Sequence, residues 1–135
     1  IDAGNEIVVM STRCLEVIRH RYPEFVGGPE TNKVVGHLYG PAEFLVGLHD
    51  RQSLDVHFSG VRPELVEYRP SCSARNTGEA DAAGAVLRLA GIAVSSVDGC
   101  CGGQGCRESV SDPALDGEVT HPIELVARAY GLARD

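Results

Sequence analysis

Residues Glu64 to Cys101 read ELVEYRPSCSARNTGEADAAGAVLRLAGIAVSSVDGCC, and this stretch decides what kind of fold the chain can adopt. The segment Glu64–Tyr68 reads as a strand that Pro70 ends, because proline lacks the N–H a strand ladder needs. From Glu79 to Ala90 the residues Ala83, Val86, Leu87 and Ala90 recur at the spacing of a helix with one apolar face. Gly91 closes that helix, and Ile92–Val97 forms the next strand. Strand, helix and strand in succession predict a parallel crossover unit.

Working outward, Asn5–Ser11 (NEIVVMS) reads as a short buried strand, and Thr12–Tyr22 as a helix with Leu15, Ile18 and Tyr22 on one stripe. Pro23 and the cluster Gly27-Gly28-Pro29 end that helix and begin a polar loop. Lys33–Leu38 suits a second short strand, and Pro41 opens a helix carrying Phe44, Leu45 and Leu48 that ends near Asp50. Arg51–Arg62 suits an edge strand or an extended linker. A last helix runs from about Pro122 to Leu132, capped by Thr120, with Ile123, Val126, Ala127 and Tyr130 facing inward. The expectation is an α/β fold, a mostly parallel sheet with helices on both faces. It forms one domain over 1–135, built from a strand–helix unit and linker helix (1–60) and a second unit with the terminal helix (61–135).

The 135 residues are 43% hydrophobic, enough for one core without cross-links, and carry a net charge of −7. That charge argues against a nucleic-acid surface, which needs clustered Lys and Arg. Arg19 and Arg21, interleaved with acids and apolar residues, read as a solvated helix face. The longest apolar run, Ala82–Val94, is interrupted by Arg88 and too short to span a bilayer. The start has neither a basic n-region nor a small-residue cleavage site, so the expected location is cytoplasmic. The absent initiator Met suggests a fragment or a processed chain.

Five cysteines, Cys14, Cys72, Cys100, Cys101 and Cys106, are an odd number, and an adjacent pair does not close an unstrained disulfide on itself. Cys14, Cys72 and Cys100 each follow a predicted strand, and in parallel sheets ligands gather at the carboxyl ends of strands. Cys100 and Cys101 lie in GCCGGQGC, where glycines such as Gly102 and Gly103 permit close backbone approach and free N–H groups for sulfur. Converging thiols suit a soft metal. Zinc also takes four thiolates, although its sites usually show Cys-x-x-Cys, which this chain lacks, as would a redox dithiol. His37, His49, His57 and His121, taken singly, are surface or capping residues more often than ligands. His121, before a helix and near the glycine loop, is the best of them, and His20 reads as solvent-facing. Asp98 reads as a turn cap. The loop lacks the Lys-Ser/Thr of a phosphate loop, and no G-x-S-x-G nucleophile elbow occurs.

Taken together, VVMSTRCLEVIRHRYPEF through Cys14, YGPAEFLVGLHDRQSL, Arg69-Pro70-Ser71-Cys72, Cys100-Cys101-Gly102 and the closing HPIELVARAY resemble the cysteine-rich CCG domains of the heterodisulfide reductase family. Iron–sulfur subunits of anaerobic glycerol-3-phosphate dehydrogenase, glycolate oxidase and the lactate-utilisation complex are related. The resemblance covers most of the chain. It implies an iron–sulfur cofactor, [4Fe–4S] and in some members non-cubane, held by Cys72, Cys100 and Cys101 with Cys14 and Cys106 as further candidates. It also implies electron transfer with a flavin- or quinone-linked dehydrogenase subunit or a disulfide substrate, and contact with a membrane only through such a partner. The chain departs from the family in two places. Ser11 stands where a first Cys of Cys-x-x-Cys belongs, and the short segment between Cys101 and His121 lacks the family's second Cys-x-x-Cys. A zinc-binding or metal-free module with a structural role is the alternative.

Overall fold

In β3 (Leu65–Arg69), Val66 and Tyr68 point to one side and are buried, while Leu65, Glu67 and Arg69 point to the other and are exposed. The structure, a computed structural model, describes residues 4–60, 62–96, 108–112 and 119–132. Parallel to β3 runs β4 (Ala93–Ser96), in register from Leu65↔Ala93 to Tyr68↔Ser96. Between them lie α5 (Cys72–Thr77) and α6 (Glu79–Leu89). The apolar stripe expected of α6 is realised, with Ala83, Val86, Leu87 and Ala90 all buried. They pack with Val66, Tyr68, Ile92 and Ala42 into one core.

The sheet itself differs from expectation. Its order is β4-β3-β5-β6, with β5 (Ser109–Ser111) antiparallel to β3 and β6 (Val119–Thr120) antiparallel to β5. The protein is therefore mixed α/β rather than built on a mostly parallel sheet. For β6 the reason is chain length, because a parallel pair needs a crossover of about a dozen residues and the step from Ser111 to Val119 is shorter. Helices on both faces are also not seen at β3, whose second face is exposed.

The N-terminal segment forms a separate parallel pair of β1 (Ile7–Val8) and β2 (Leu38–Tyr39). The first helix, α1 (Thr12–His20), falls where the pattern predicted it. The expected polar loop is instead two short helices, α2 (Tyr22–Val26) and α3 (Pro29–Val35), each with proline in its first turn. Proline there lacks only an N–H that has no partner inside the helix, so it starts helices as readily as it ends them. The second strand accordingly shifts to Leu38–Tyr39. Helix α4 (Pro41–Asp50) begins at Pro41 as predicted.

No helix or strand forms in the described part of Arg51–Arg62, which behaves as a linker pinned to the end of α7 (Pro122–Ala129). Gly60 N–H donates to Ala129 O at 2.8 Å, and the Phe58 ring lies 4.4 Å from that of Tyr130. In α7 the deepest residues are Leu125 and Ala129 together with Val126, so the inward stripe is rotated from the expected one; Ile123, Ala127 and Tyr130 are only half-buried. Its cap is His121, not Thr120. Arg19 is likewise no solvated residue. Its guanidinium holds both carboxylate oxygens of Glu43, at 3.1 and 3.0 Å, and the carbonyls of Leu38 and Thr77.

Helices α4, α6 and α7 end alike. A residue just past each helix donates to a carbonyl in the last turn, as in Ile92 N–H to Leu87 O, Leu132 N–H to Ala127 O and Ser53 N–H to Leu48 O. The motif requires a left-handed residue, supplied by Gly91 and Gly131, but in α4 by Gln52 at φ 57°. A side chain in that conformation costs roughly 1 kcal/mol relative to glycine. Gln52→Gly is therefore expected to raise the thermal midpoint by a few degrees, after some loss to the freer unfolded chain. An unchanged or lower midpoint in a melting scan would show that the strain is not there.

Candidate functional site

The cysteines named from the sequence divide into two groups. Cys100, Cys101 and Cys106, with Gly102, Gly103 and Asp98, lie outside the described residues. Cys14 and Cys72 lie inside them, at the starts of neighbouring helices. Ser11 caps α1, accepting from the Cys14 N–H at 3.3 Å, and Ser71 caps α5, accepting from the Ala74 N–H at 3.0 Å. The two helix starts meet where Thr12 Oγ1 lies 3.4 Å from Ser71 Oγ. Farther along, Glu16 accepts from Ser73 Oγ at 2.6 Å and Asn76 Nδ2 at 2.9 Å, bonds that hold its carboxyl below the usual range. Cys14 is exposed and Cys72 half-buried.

The parallel register bears on the remaining thiols. Because Tyr68 pairs with Ser96, the carboxyl ends of β3 and β4 lie side by side. Cys72 follows β3 by three residues and Cys100 follows β4 by four, the latter a reach of at most about 14 Å of extended chain. Among the described residues no three His, Cys, Asp or Glu side chains are arranged to hold a metal ion. A metal centre here would depend on the Cys100–Cys106 segment.

A polar cluster that sequence reasoning missed lies in the core between the sheet and the helices. Tyr68, almost fully buried on β3, donates its hydroxyl to Glu108 Oε1. The other oxygen of Glu108 lies 3.4 Å from His121 Nε2. His121 Nδ1 accepts from the Ile123 N–H at 3.1 Å and so caps α7. Accepting at Nδ1 puts the ring proton on Nε2, facing the Glu108 carboxylate. In this tautomer the ring is neutral; it caps α7 through Nδ1 and turns its Nε2 side toward Glu108. Its pKa is raised, chiefly by Glu108, against the opposing effect of burial. The Tyr68 hydroxyl is pushed up by burial and by the same carboxylate.

Close to this cluster stands Glu79, only 2% exposed at the first position of α6. Its two oxygens accept from the N–H groups of Ala42 at 2.6 Å and Glu43 at 3.1 Å, capping α4 from outside that helix. Burial raises its pKa to about 7 in spite of these bonds, with Glu43 and Glu108 adding to the rise. The remaining histidines serve locally. His37 pairs with Glu6, His57 with Asp55 and His49 with Asp50, and His20 is exposed as expected. No described helix is long and apolar enough to cross a membrane.

Comparison with protein-family models, with curated proteins and with solved structures finds no match to this chain.

The double use of His121 separates by substitution. His121→Ala removes a cap, worth about 1 kcal/mol, and leaves Glu108 with one partner fewer in a buried setting, about 1–3 kcal/mol more. His121→Asn keeps a capping acceptor and should cost distinctly less in urea unfolding. Equal losses for the two variants would mean that the cap contributes nothing.

Proposed function

We propose that the chain is an iron–sulfur-binding electron-transfer domain of a heterodisulfide reductase-like oxidoreductase. Its ligands would be Cys72, Cys100 and Cys101, with Cys14 and Cys106 completing the set. The observation that carries the reading is the pairing of β3 with β4, whose adjoining carboxyl ends lead into Cys72 and into the tandem Cys100-Cys101. Thiolates from different strand ends suit a soft, multinuclear centre, and backbone N–H groups of Gly102 and Gly103 would hydrogen-bond its sulfurs. A bound cluster would accept and release single electrons, and the chain's own residues would hold it and set its potential. The donor or acceptor would be a flavin- or quinone-linked dehydrogenase subunit, or a disulfide. On this reading the chain is cytoplasmic and meets a membrane only through that partner.

The second reading is a zinc-binding or metal-free structural module, and one observation favours its metal-free form. The two helices that carry Cys14 and Cys72 are joined by hydroxyls and by Glu16.

Anaerobic purification decides between the two. The electron-transfer reading expects a broad visible absorption band with iron and acid-labile sulfide in near-equal amounts. A colourless protein carrying zinc or no metal sinks it. Within a coloured protein, Cys72→Ser and Cys100→Ser should abolish the band. Cys106→Ser should do so only if this cysteine has replaced a family ligand that the chain lacks.

A further inference from the structure

Glu108 carries a buried oxygen without a donor. Its side chain is only 4% exposed, and while Oε1 accepts the Tyr68 hydroxyl, Oε2 has no hydrogen-bond donor among the described residues. His121 Nε2 stands 3.4 Å from it, beyond the usual N–H···O range of about 2.7–3.2 Å. Such an oxygen has given up its hydration on folding and received nothing in return, a state that native interiors rarely leave uncorrected.

Glu108 lines a small cavity with room for about one water molecule. Glu79 and His121 line it too, and apolar side chains such as Pro41, Val86 and Val126 make up other parts of the wall. The Glu79 oxygens accept from the Ala42 and Glu43 amides at 2.6 and 3.1 Å, the arrangement of an ionised carboxylate, and each oxygen keeps a lone pair. Gly40 crowds the carboxyl group so closely that a Cβ there would overlap it, which leaves the cavity as its open side. The cavity thus gathers two carboxylates in need of hydrogen and one imidazole N–H. That is the complement of a water molecule, which donates twice and accepts from a third neighbour. A hard metal ion would want about six oxygens, and among the described residues no three His, Cys, Asp or Glu are arranged for one.

We propose that this cavity is the binding site of a single structural water, which donates to Glu108 Oε2 and to the Glu79 carboxylate and accepts from His121 Nε2–H. The water joins two hydrogen-bonded pairs into one chain, from the Tyr68 hydroxyl of β3 through Glu108 and Glu79 to the first amides of α4. Through His121 the same chain reaches the Ile123 amide and so the start of α7. Two helix caps on different elements are thereby fixed relative to each other. Glu108 stands two residues after Cys106, so the water also anchors the chain beside the cysteine segment, whatever those thiols bind.

A crystal structure of the whole chain, at a resolution that places ordered waters, tests the site. The expected result is a water within about 3.2 Å of Glu108 Oε2, of the Glu79 carboxylate and of His121 Nε2. The proposal is overturned by an empty cavity, by an ion held at about 2.4 Å by further oxygens, or by Glu79 and Glu108 bonded directly through a shared proton. Solution NMR decides the same question without crystals. Ala83 lines the cavity and is only 2% exposed, so its methyl group should show a nuclear Overhauser effect to the water signal. Oxygen-17 relaxation dispersion, which responds to water itself and not to hydroxyl protons, should register a long-lived molecule. The absence of either signal overturns the proposal.

Discussion

A carboxylate folded into an apolar interior must be met by donors or it drives the structure open, and Glu79 is where this protein faces that constraint. The donors are two N–H groups that α4 cannot satisfy within itself, because the first amides of any helix have no carbonyl a turn earlier. Each deficiency answers the other: the helix start lacks acceptors and the buried acid lacks donors. This meeting aligns α4 on α6, brings Ala42 into the main core, and leaves room for nothing larger than glycine at residue 40. From α4 the arrangement extends outward, since Glu43 holds Arg19, and Arg19 reaches the carbonyls of both β2 and α5. Among the described residues the β1–β2 pair has no strand neighbour in the larger sheet, and this polar chain is one tie between it and the rest.

The structure follows the sequence pattern most closely around α6. α6 buries the residues its spacing predicts, α1 and α4 begin where their caps and proline indicate, and β3 and β4 pair in parallel around α6. These elements depend mainly on local chemistry, which is why the sequence displays them. The departures have a common origin in signals with two meanings. Pro23 and Pro29 read as helix stops and prove to be helix starts, a distinction that depends on where the preceding turn ends. β5 and β6 are too short, at three and two residues, for alternation to be recognised, and their antiparallel pairing turns the expected sheet into a mixed one. The α7 stripe is offset from its expected place, and its true cap, His121, uses a ring nitrogen where a hydroxyl is the commoner choice.

The candidate site divides along the same line. Thiol chemistry is legible in a sequence because cysteines are few and their spacing constrains what they bind, so Cys72 and the tandem pair can be named as ligands for the proposed cluster. The grouping of Tyr68, Glu108, His121 and Glu79 is not legible. Its members come from β3, from the residue before β5, from the residue before α7 and from α6, and nothing in their spacing brings them together. Only one signal is present: a glutamate at the first position of an amphipathic helix, after the left-handed Gly78, reads as a favourable helix-start charge rather than as a buried acid. Burial inverts the meaning of that residue, and burial is a tertiary fact.

The contact between α1 and α5 sets what a metal could add to this fold. Two helix starts brought together bring two partial positive charges together, a repulsion that some neighbouring group has to offset. Across this contact the Glu16 carboxylate bridges to Ser73 and Asn76, and the hydroxyls of Thr12 and Ser71 touch. The helices bearing Cys14 and Cys72 are therefore held by oxygen chemistry, before any thiolate is called upon. A structural zinc would have to do work here that hydroxyls and a carboxylate already do, whereas a redox centre would use the site without being needed to build it.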